Sequence, residues 1–180
     1  NITINGNMVA NNSQYGILLD TSGNITISDN MILNNGNRGV YLRSSSNNTV
    51  SNNTVSKHSE WGIYVYSSSN NVFSGNTVSN TSGAPYADGI WLRSGSSNNI
   101  ISNNMISKNT HGLYILDSTS NTLRNNNITG NGYNFLIDSR SLSDFIHDID
   151  TSNLVDGKPV YYWVNQHDKQ VPADAGYVAL

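Results

Sequence analysis

Hydrophobic and polar positions alternate along this chain in short stretches, and the same pattern returns at a nearly constant spacing. Each return is a Gly or Asn followed by three apolar residues, and the steps between successive copies are 23, 23, 27, 23 and 22 residues. The six copies lie at residues 16–19, 39–42, 62–65, 89–92, 112–115 and 134–137. A fixed period of this length indicates a solenoid in which each repeat forms one coil.

The composition of each repeat favours strands over helices. Its apolar residues alternate with a period of two and are mostly β-branched or aromatic, as strands require. Turn-forming Ser, Gly and Asn separate them, and the chain's 31 Asn and 26 Ser would burden helices. The sequence therefore predicts an all-β fold, a single-stranded parallel β-helix with about six coils of 22–28 residues. The usual sense of parallel crossovers makes it right-handed.

A second element of the repeat is an Asn with an apolar residue three positions before it. In the second coil Ile27, Ile32, Val40 and Leu42 are expected to point inward, and like residues stack on like at about 4.8 Å. Asn is the polar exception, and it tolerates the left-handed turn conformation. Its amide can donate to one coil and accept from the other, so we expect a structural ladder rather than a chemical site. The ladder comprises Asn7, Asn30, Asn53, Asn76, Asn104 and Asn126.

The chain divides into regular coils at 1–143 and an irregular final coil at 144–180 within the same domain. The Asp156-Gly157 turn signal before an apolar strand at 160–164 predicts a β-hairpin excursion from the helix. The first residues match the start of a coil, and the last five form a bare strand. A solenoid needs caps over its end strands, so we expect a segment of a longer protein.

Composition excludes several classes of function. Charged residues make up 12% of the chain and the net charge is −3, so no basic stripe can bind nucleic acid. No apolar run is long enough to span a membrane. We expect no cofactor and no metal site, because Cys is absent and the four His and three Met form no cluster. Seven Asn-x-Ser/Thr sequons favour an extracellular or cell-surface location; they begin at Asn1, Asn11, Asn24, Asn47, Asn52, Asn80 and Asn127.

Two segments carry a family resemblance. The rung at 47–56 followed by Gly-Ile-Tyr-Val at 62–65 resembles the NosD-like (CASH-type) right-handed β-helix proteins, and 149–163 resembles an element of their archaeal cell-surface members. The resemblance implies a right-handed β-helix, export and contact with carbohydrate. It also implies, as one alternative, an accessory role in copper-enzyme maturation.

The outward positions of the strand that follows each motif glycine carry aromatic rings and cations on one face. Flat rings stack on sugars and Arg hydrogen-bonds hydroxyl groups, so a glycan is a natural ligand. Stacking between the rings alone, or packing against a neighbouring domain or subunit, would explain the same pattern. The candidate carbohydrate-binding residues are Tyr41, Arg43, Tyr64, Tyr66, Trp91, Arg93 and Tyr114.

One step of the repeat is longer than the others. Its 27 residues include an insertion at 81–88, directly before Trp91, and such loops often carry recognition, although a surface loop also tolerates neutral insertion. The same region holds the best acid–base candidates, Asp88 and His111, with Arg93 near. Asp88 lacks the second carboxylate that glycoside hydrolysis needs.

We therefore expect a non-catalytic, exported or cell-surface β-helix module, a structural spacer with a carbohydrate-binding aromatic face. Its partners would be a polysaccharide or cell-surface glycan, and neighbouring domains of the full-length chain. A lyase or glycoside hydrolase segment and a NosD-like copper accessory are the alternatives. Acidic residues beside Asp88 and His111 in a longer chain would favour the enzyme, whereas His or Met pairs would favour the copper accessory.

Overall fold

The computed structural model describes residues 1–83 and 85–179 as a solenoid of parallel β-coils, with one short 3₁₀ helix at Leu142–Phe145. Each regular coil contributes three strands, and equivalent strands of successive coils pair in parallel to form three long sheets. The predicted all-β parallel solenoid is confirmed. Two residues lie outside the described part of the chain: Ala84, within the predicted insertion, and Leu180, within the predicted last strand.

The three sheets, called A, B and C, follow one another around each coil. Sheet A consists of β1 (Ile2–Asn5), β4 (Ile25–Ser28), β7 (Thr49–Ser51), β10 (Val72–Ser74), β13 (Ile100–Ser102), β16 (Thr122–Arg124) and β19 (Asp148–Ile149). Sheet B consists of β2 (Met8–Ala10), β5 (Met31–Leu33), β8 (Thr54–Ser56), β11 (Thr77–Ser79), β14 (Met105–Ser107), β17 (Asn127–Thr129), β20 (Leu154–Val155), β21 (Lys158–Tyr162) and β22 (Tyr177–Ala179). Sheet C consists of β3 (Tyr15–Asp20), β6 (Arg38–Arg43), β9 (Trp61–Tyr66), β12 (Asp88–Arg93), β15 (His111–Leu116) and β18 (Tyr133–Asp138).

The core is a set of apolar columns that run along the solenoid axis. Ile27, Ile32, Val40 and Leu42 are completely buried, as the alternation predicts. Register keeps equivalent residues adjacent, so that Ile27 pairs with Val50 of the next coil. This stacking removes one apolar side chain from water at each inward position of every coil.

The glycine that opens five of the six sheet C motifs is required by close packing between coils. A Cβ atom on Gly62 would lie 2.4 Å from the Val78 Cγ1 atom and 2.6 Å from the Gly89 carbonyl oxygen. Real side chains do not tolerate such distances, so the backbones of neighbouring coils could not approach as closely if another residue stood there.

Asparagine amides connect the coils at the corner between sheets A and B. The Asn30 backbone N–H and its side-chain Nδ2 both donate to the Asn53 Oδ1 atom, at 3.0 Å each. The Asn53 Nδ2 atom donates in turn to the Ile27 carbonyl at 2.9 Å. This AB ladder contains the six Asn named from the sequence and continues to Asn153 in the last coil.

The left-handed residue at this corner is the one before the ladder Asn, which corrects the sequence-based expectation. Asp29, Asn52 and Asn103 have φ values of 57°, 56° and 56°. Asn and Asp tolerate this conformation better than most residues. The corner thus separates two tasks, because one residue makes the turn and the next makes the hydrogen bonds.

Two further ladders exist that the sequence reasoning missed. Both corners use side-chain acceptors for backbone N–H groups of the preceding coil, as in the AB ladder. The CA ladder, between sheets C and A, contains Asn48, Asn71, Asn99, Asn121 and His147. The BC ladder, between sheets B and C, contains Asn12, Asn35, His58, Thr81, Asn109 and Asn131, of which Thr81 takes part only through its backbone N–H. His58 and Thr81 interrupt the BC pattern in the sequence, whereas the CA Asn residues recur in successive coils within Ser-rich turn segments.

The final coil departs from the regular pattern with the predicted hairpin. β20 and β21 pair antiparallel across Asp156 and Gly157, which both have positive φ. The second strand of the hairpin is Lys158–Tyr162, slightly earlier than the predicted 160–164. Val160 is buried against the core, and the Tyr177 ring packs edge-on against Phe135 at 4.9 Å. The hairpin therefore covers part of the core at this end of the solenoid.

Candidate functional site

The aromatic residues of sheet C form a continuous outward stack. The β-sheet register aligns Tyr41, Tyr64, Trp91 and Tyr114 in one column. Successive ring centroids lie 5.0, 5.0 and 5.7 Å apart, with interplanar angles of 22°, 31° and 10°. The rings therefore contact one another largely face to face along the solenoid axis.

This stack is a second apolar cluster, outside the coil. Tyr64 and Trp91 are only 5% and 7% exposed, although both side chains point away from the core. Trp61 covers them from the side, with its ring 4.6 Å from Tyr64 and 5.1 Å from Trp91, and the Tyr66 ring lies 6.2 Å from Tyr64. Since the flat faces are already occupied, a sugar ring could reach only the edges of this stack.

Arg38 is a cation within the same cluster that the list of candidate binding residues omitted. Its guanidinium lies 4.4 Å from the Tyr41 ring centroid and 4.5 Å from that of Trp61, within cation–π distance. Its Nη2 atom lies 3.6 Å from a Glu60 carboxylate oxygen. In the sequence, Arg38 could have been identified as a member of this cluster from its position directly before a motif glycine.

The two Arg candidates have different surroundings. Arg43 forms an ion pair with Asp20 of the preceding coil, which lowers the pKa of that carboxyl. Arg93 lies with its guanidinium 5.1 Å from the Trp91 ring centroid. Asp88 and Arg93 stand at opposite ends of β12, about 17 Å apart at 3.3–3.4 Å per residue, so the structure does not bring Arg93 beside the acid–base candidates.

Asp88 and His111 form a buried pair at the start of sheet C. The register places them side by side, and the His111 Nδ1 atom lies 2.5 Å from the Asp88 Oδ1 atom. Burial raises the pKa of Asp88 to about 6, although the hydrogen bond and charge of His111 lower it. A carboxyl group beside an imidazole can orient the ring and exchange a proton with it.

Two exposed rings flank this pair. Tyr86 comes from the insertion and Tyr133 from the next coil, and they are 63% and 66% exposed. Their ring centroids lie 6.1 Å and 5.3 Å from that of His111, at interplanar angles of 19° and 32°. These rings retain free surface where the central stack does not. The sequence does not show that the two rings come together, because the length of the insertion does not determine its path.

The row that contains this pair is called the first column of sheet C. Its members precede the motif glycine or its equivalent, and they are Tyr15, Arg38, Trp61, Asp88, His111 and Tyr133.

Within residues 1–83 and 85–179, no group of three or more His, Cys, Asp or Glu side chains could hold a metal ion. No helix in that same part of the chain is long and apolar enough to cross a membrane.

Comparisons with known proteins match the chain to one family and to several solved structures. The model of the right-handed β-helix region family matches residues 1–148. No curated protein matches the chain.

Several solved structures are similar to this chain in fold. The A-module of the mannuronan C-5 epimerase AlgE6 of Azotobacter vinelandii is 13% identical with a TM-score of 0.67, covering 99% of this chain and 57% of that one. The enzymatically active domain of tailspike protein 2 of bacteriophage CBA120 is 19% identical with a TM-score of 0.66, covering 73% and 21%. The periplasmic alginate epimerase AlgG is 18% identical with a TM-score of 0.59, covering 98% and 42%. The chain thus spans about a fifth to just over half of these proteins, and the likeness is one of fold.

Proposed function

This chain belongs to the right-handed β-helix family, and from that premise we propose that it is a polysaccharide-binding module of an exported or cell-surface protein. The binding site is the group of Tyr86, His111 and Tyr133 at the start of sheet C. The central stack of Tyr41, Tyr64, Trp91 and Tyr114 serves as its support. The module is non-catalytic and acts as a rigid spacer along its length.

The exposure of the two flanking rings carries this proposal. Tyr86 and Tyr133 present free ring surface on both sides of His111, whereas the rings of the central stack are turned against one another. Sugars bind proteins through ring stacking combined with a few polar groups. Asp88 is fully buried and holds the Nδ1 atom of His111, so the polar group offered to a sugar here is the other ring nitrogen of His111.

The structural neighbours support the ligand class and the location. Their names describe an epimerase of mannuronan, a periplasmic epimerase of alginate and a phage tailspike. A β-helix presents its side chains at a constant spacing of about 4.8 Å per coil, which suits a long repeating ligand.

Binding to a panel of bacterial and plant polysaccharides tests the proposal. We expect Tyr86→Ala and Tyr133→Ala each to weaken binding about three- to tenfold, since one aromatic contact contributes about 0.5–1.5 kcal/mol. Tyr161→Ala is the matched control, because Tyr161 lies on the C-terminal hairpin and bonds to Asp174. Equal affinities for all four proteins, or no binding by the unmodified chain, would reject the site.

A polysaccharide-active enzyme is the second candidate, and the Asp88–His111 pair favours it. The two register neighbours of Asp88 in sheet C are Trp61 and His111 rather than a carboxylate. Hydrolysis with two carboxylates about 5–10 Å apart is therefore disfavoured, whereas proton transfer by an imidazole held by a carboxylate fits the geometry.

Product analysis separates the two candidates. The enzyme predicts new chain ends or altered sugar residues after incubation with a bound polysaccharide, and their loss in Asp88→Asn. Polysaccharide that binds through Tyr133 yet is recovered unchanged would leave the non-catalytic module as the function.

A further inference from the structure

Two buried histidines occupy positions in the asparagine ladders. His58 lies in the BC ladder and His147 in the CA ladder, and they are 1% and 8% exposed. In other coils of the same ladders, Asn fills the equivalent position. Each histidine can therefore be compared directly with the Asn residues that occupy the same ladder position in other coils.

The His58 ring reproduces the hydrogen bonds of an Asn amide. The Asn35 N–H donates to the Nδ1 atom of His58 at 3.2 Å, and the Nε2 atom lies 3.2 Å from the Ile32 carbonyl. In the same ladder, Asn109 accepts from the Thr81 N–H at 3.0 Å and donates to the Val78 carbonyl at 3.4 Å. This equivalence requires a neutral ring with an unprotonated Nδ1 atom.

His147 makes only the accepting contact in the last coil, since its Nε2 atom is buried without a hydrogen-bond partner in the part of the chain that the structure describes. The Asn121 N–H donates to its Nδ1 atom at 3.2 Å, and the Tyr162 ring of the hairpin lies 6.2 Å away. An Asn at this position of the ladder also accepts from the side-chain amide of the preceding coil, as Asn121 does from Asn99. His147 offers one acceptor atom where Asn offers a carbonyl oxygen with two lone pairs.

Protonation removes the acceptor on which each ladder depends. In an imidazolium both nitrogens carry hydrogen, so neither can accept from a backbone N–H. The Asn35 carbonyl, 3.3 Å from the His58 Nδ1 atom, can take the new proton, but the buried Asn35 N–H is then left unpaired. An unpaired buried donor is costly, and burial also disfavours the positive charge.

We propose that His58 and His147 are acid-sensitive links of the solenoid, which hold neighbouring coils together when neutral and release them when protonated. His58 supports the insertion, because the Ser82 N–H donates to its carbonyl oxygen at 3.0 Å. His147 lies against the hairpin that covers the end of the core. Acid would therefore loosen these two places first.

The surrounding charges do not rescue the protonated rings. Lys57 lines the same cavity as His58 and adds a like charge, and burial lowers the pKa of His58. Burial lowers the pKa of His147 to about 4, although the Asp144 backbone and then the charge of the Asp144 carboxylate raise it. The other acids of that coil, Asp148 and Asp150, pair with Arg124.

The sign of the pH effect follows from these depressed pKa values. Between pH 6.5 and about 4, His147 is protonated in the unfolded chain but neutral in the folded chain. The unfolding equilibrium constant therefore rises about tenfold for each unit by which the pH falls in this range. The contribution of neutral His147 to folding stability is complete above pH 6.5 and is lost as the pH falls. Asp88 acts oppositely, because its raised pKa lets the folded state bind a proton between about 6 and 3.8. Comparison of variants at each pH cancels that contribution.

Urea unfolding at pH 7.5 and 4.5, followed by circular dichroism, tests the links. The variants are His58→Asn and His147→Asn, and the control is His167→Asn, whose side chain is exposed beside Asp168. For His147→Asn we expect the unfolding constant of the unmodified chain, relative to the variant, to rise about 100-fold between these pH values. His58→Asn should move in the same direction, and His167→Asn should follow the unmodified chain.

A ratio that is equal at both pH values would overturn the proposal, even if the Asn variants are less stable throughout. If a variant does not fold, proton NMR of the unmodified chain gives the same answer. We expect the His147 ring to remain neutral at pH 5 in the folded state, and the His58 ring to gain its proton at a lower pH than an unfolded histidine does. Titration of both rings near pH 6.5 would contradict the links.

Discussion

The AB ladder and the first column of sheet C are both rows with one side chain per coil, yet their compositions are opposite. The ladder holds Asn in every coil, whereas the first column holds Tyr15, Arg38, Trp61, Asp88, His111 and Tyr133. Each ladder amide must accept from one coil and donate to another within a buried corner. An outward side chain of sheet C needs only to pack, so its identity is free. Positions that the coil geometry requires to be Asn therefore repeat from coil to coil. Positions that can vary in identity carry the candidate chemistry.

The BC ladder lies between these extremes. It keeps Asn35, Asn109 and Asn131 but admits His58 and Thr81. His58 replaces a side chain that is indifferent to pH with one that titrates. Breaks in the internal repeat are therefore more informative about function than the repeat itself.

The largest expected loss of stability comes from a substitution in the AB ladder. Asn53→Leu leaves the buried Asn30 N–H without its acceptor and the Ile27 carbonyl without its donor. Two unsatisfied buried groups at about 1–3 kcal/mol each predict a loss of about 2–6 kcal/mol in the free energy of unfolding, measured by urea denaturation. A loss below about 1 kcal/mol would mean that the ladder contributes little to the fold.

A somewhat smaller effect is expected from the aromatic stack. Trp91→Ala removes a 7% exposed ring that contacts Trp61, Tyr64 and Tyr114, so we expect a loss of about 2–4 kcal/mol in the same measurement. Under the proposed function, Trp91 therefore belongs to the support of the binding site rather than to the site itself. Tyr133→Ala, in the exposed part of the face, should change stability by less than about 0.5 kcal/mol. Equal losses in both variants would contradict the division into support and binding site.

The smallest effect belongs to the turn residue beside the ladder. Asn52→Gly keeps a residue suited to positive φ, and Gly75 already occupies the equivalent corner of the next coil, so we expect a change within about 0.5 kcal/mol. The sequon at 52–54 combines this turn residue with a ladder Asn and a strand Thr. A loss comparable with that of Asn53→Leu would show that the turn and the ladder are not separate tasks.

The sequence was sufficient for the coil, its register and the AB ladder, because these follow from a period that is visible in every repeat. The separation of Asp88 from Arg93 was also within its reach, since five steps along a strand span about 17 Å. The BC ladder was missed because His58 and Thr81 interrupt its pattern, and the CA ladder because its Asn residues lie within Ser-rich segments that were assigned only to turns.

What the sequence determined by itself is the direction, inward or outward, of the side chains that follow each motif glycine, since alternation along a strand fixes it. Only the tertiary structure decided which outward rings remain exposed, because that depends on lateral packing between columns and on the path of the insertion. Trp61 covers Tyr64 and Trp91, and Tyr86 reaches His111 from the insertion. The length of the insertion in the sequence does not show in which direction this loop runs. Local backbone geometry sets orientation, but accessibility is a property of neighbours that are distant in the chain.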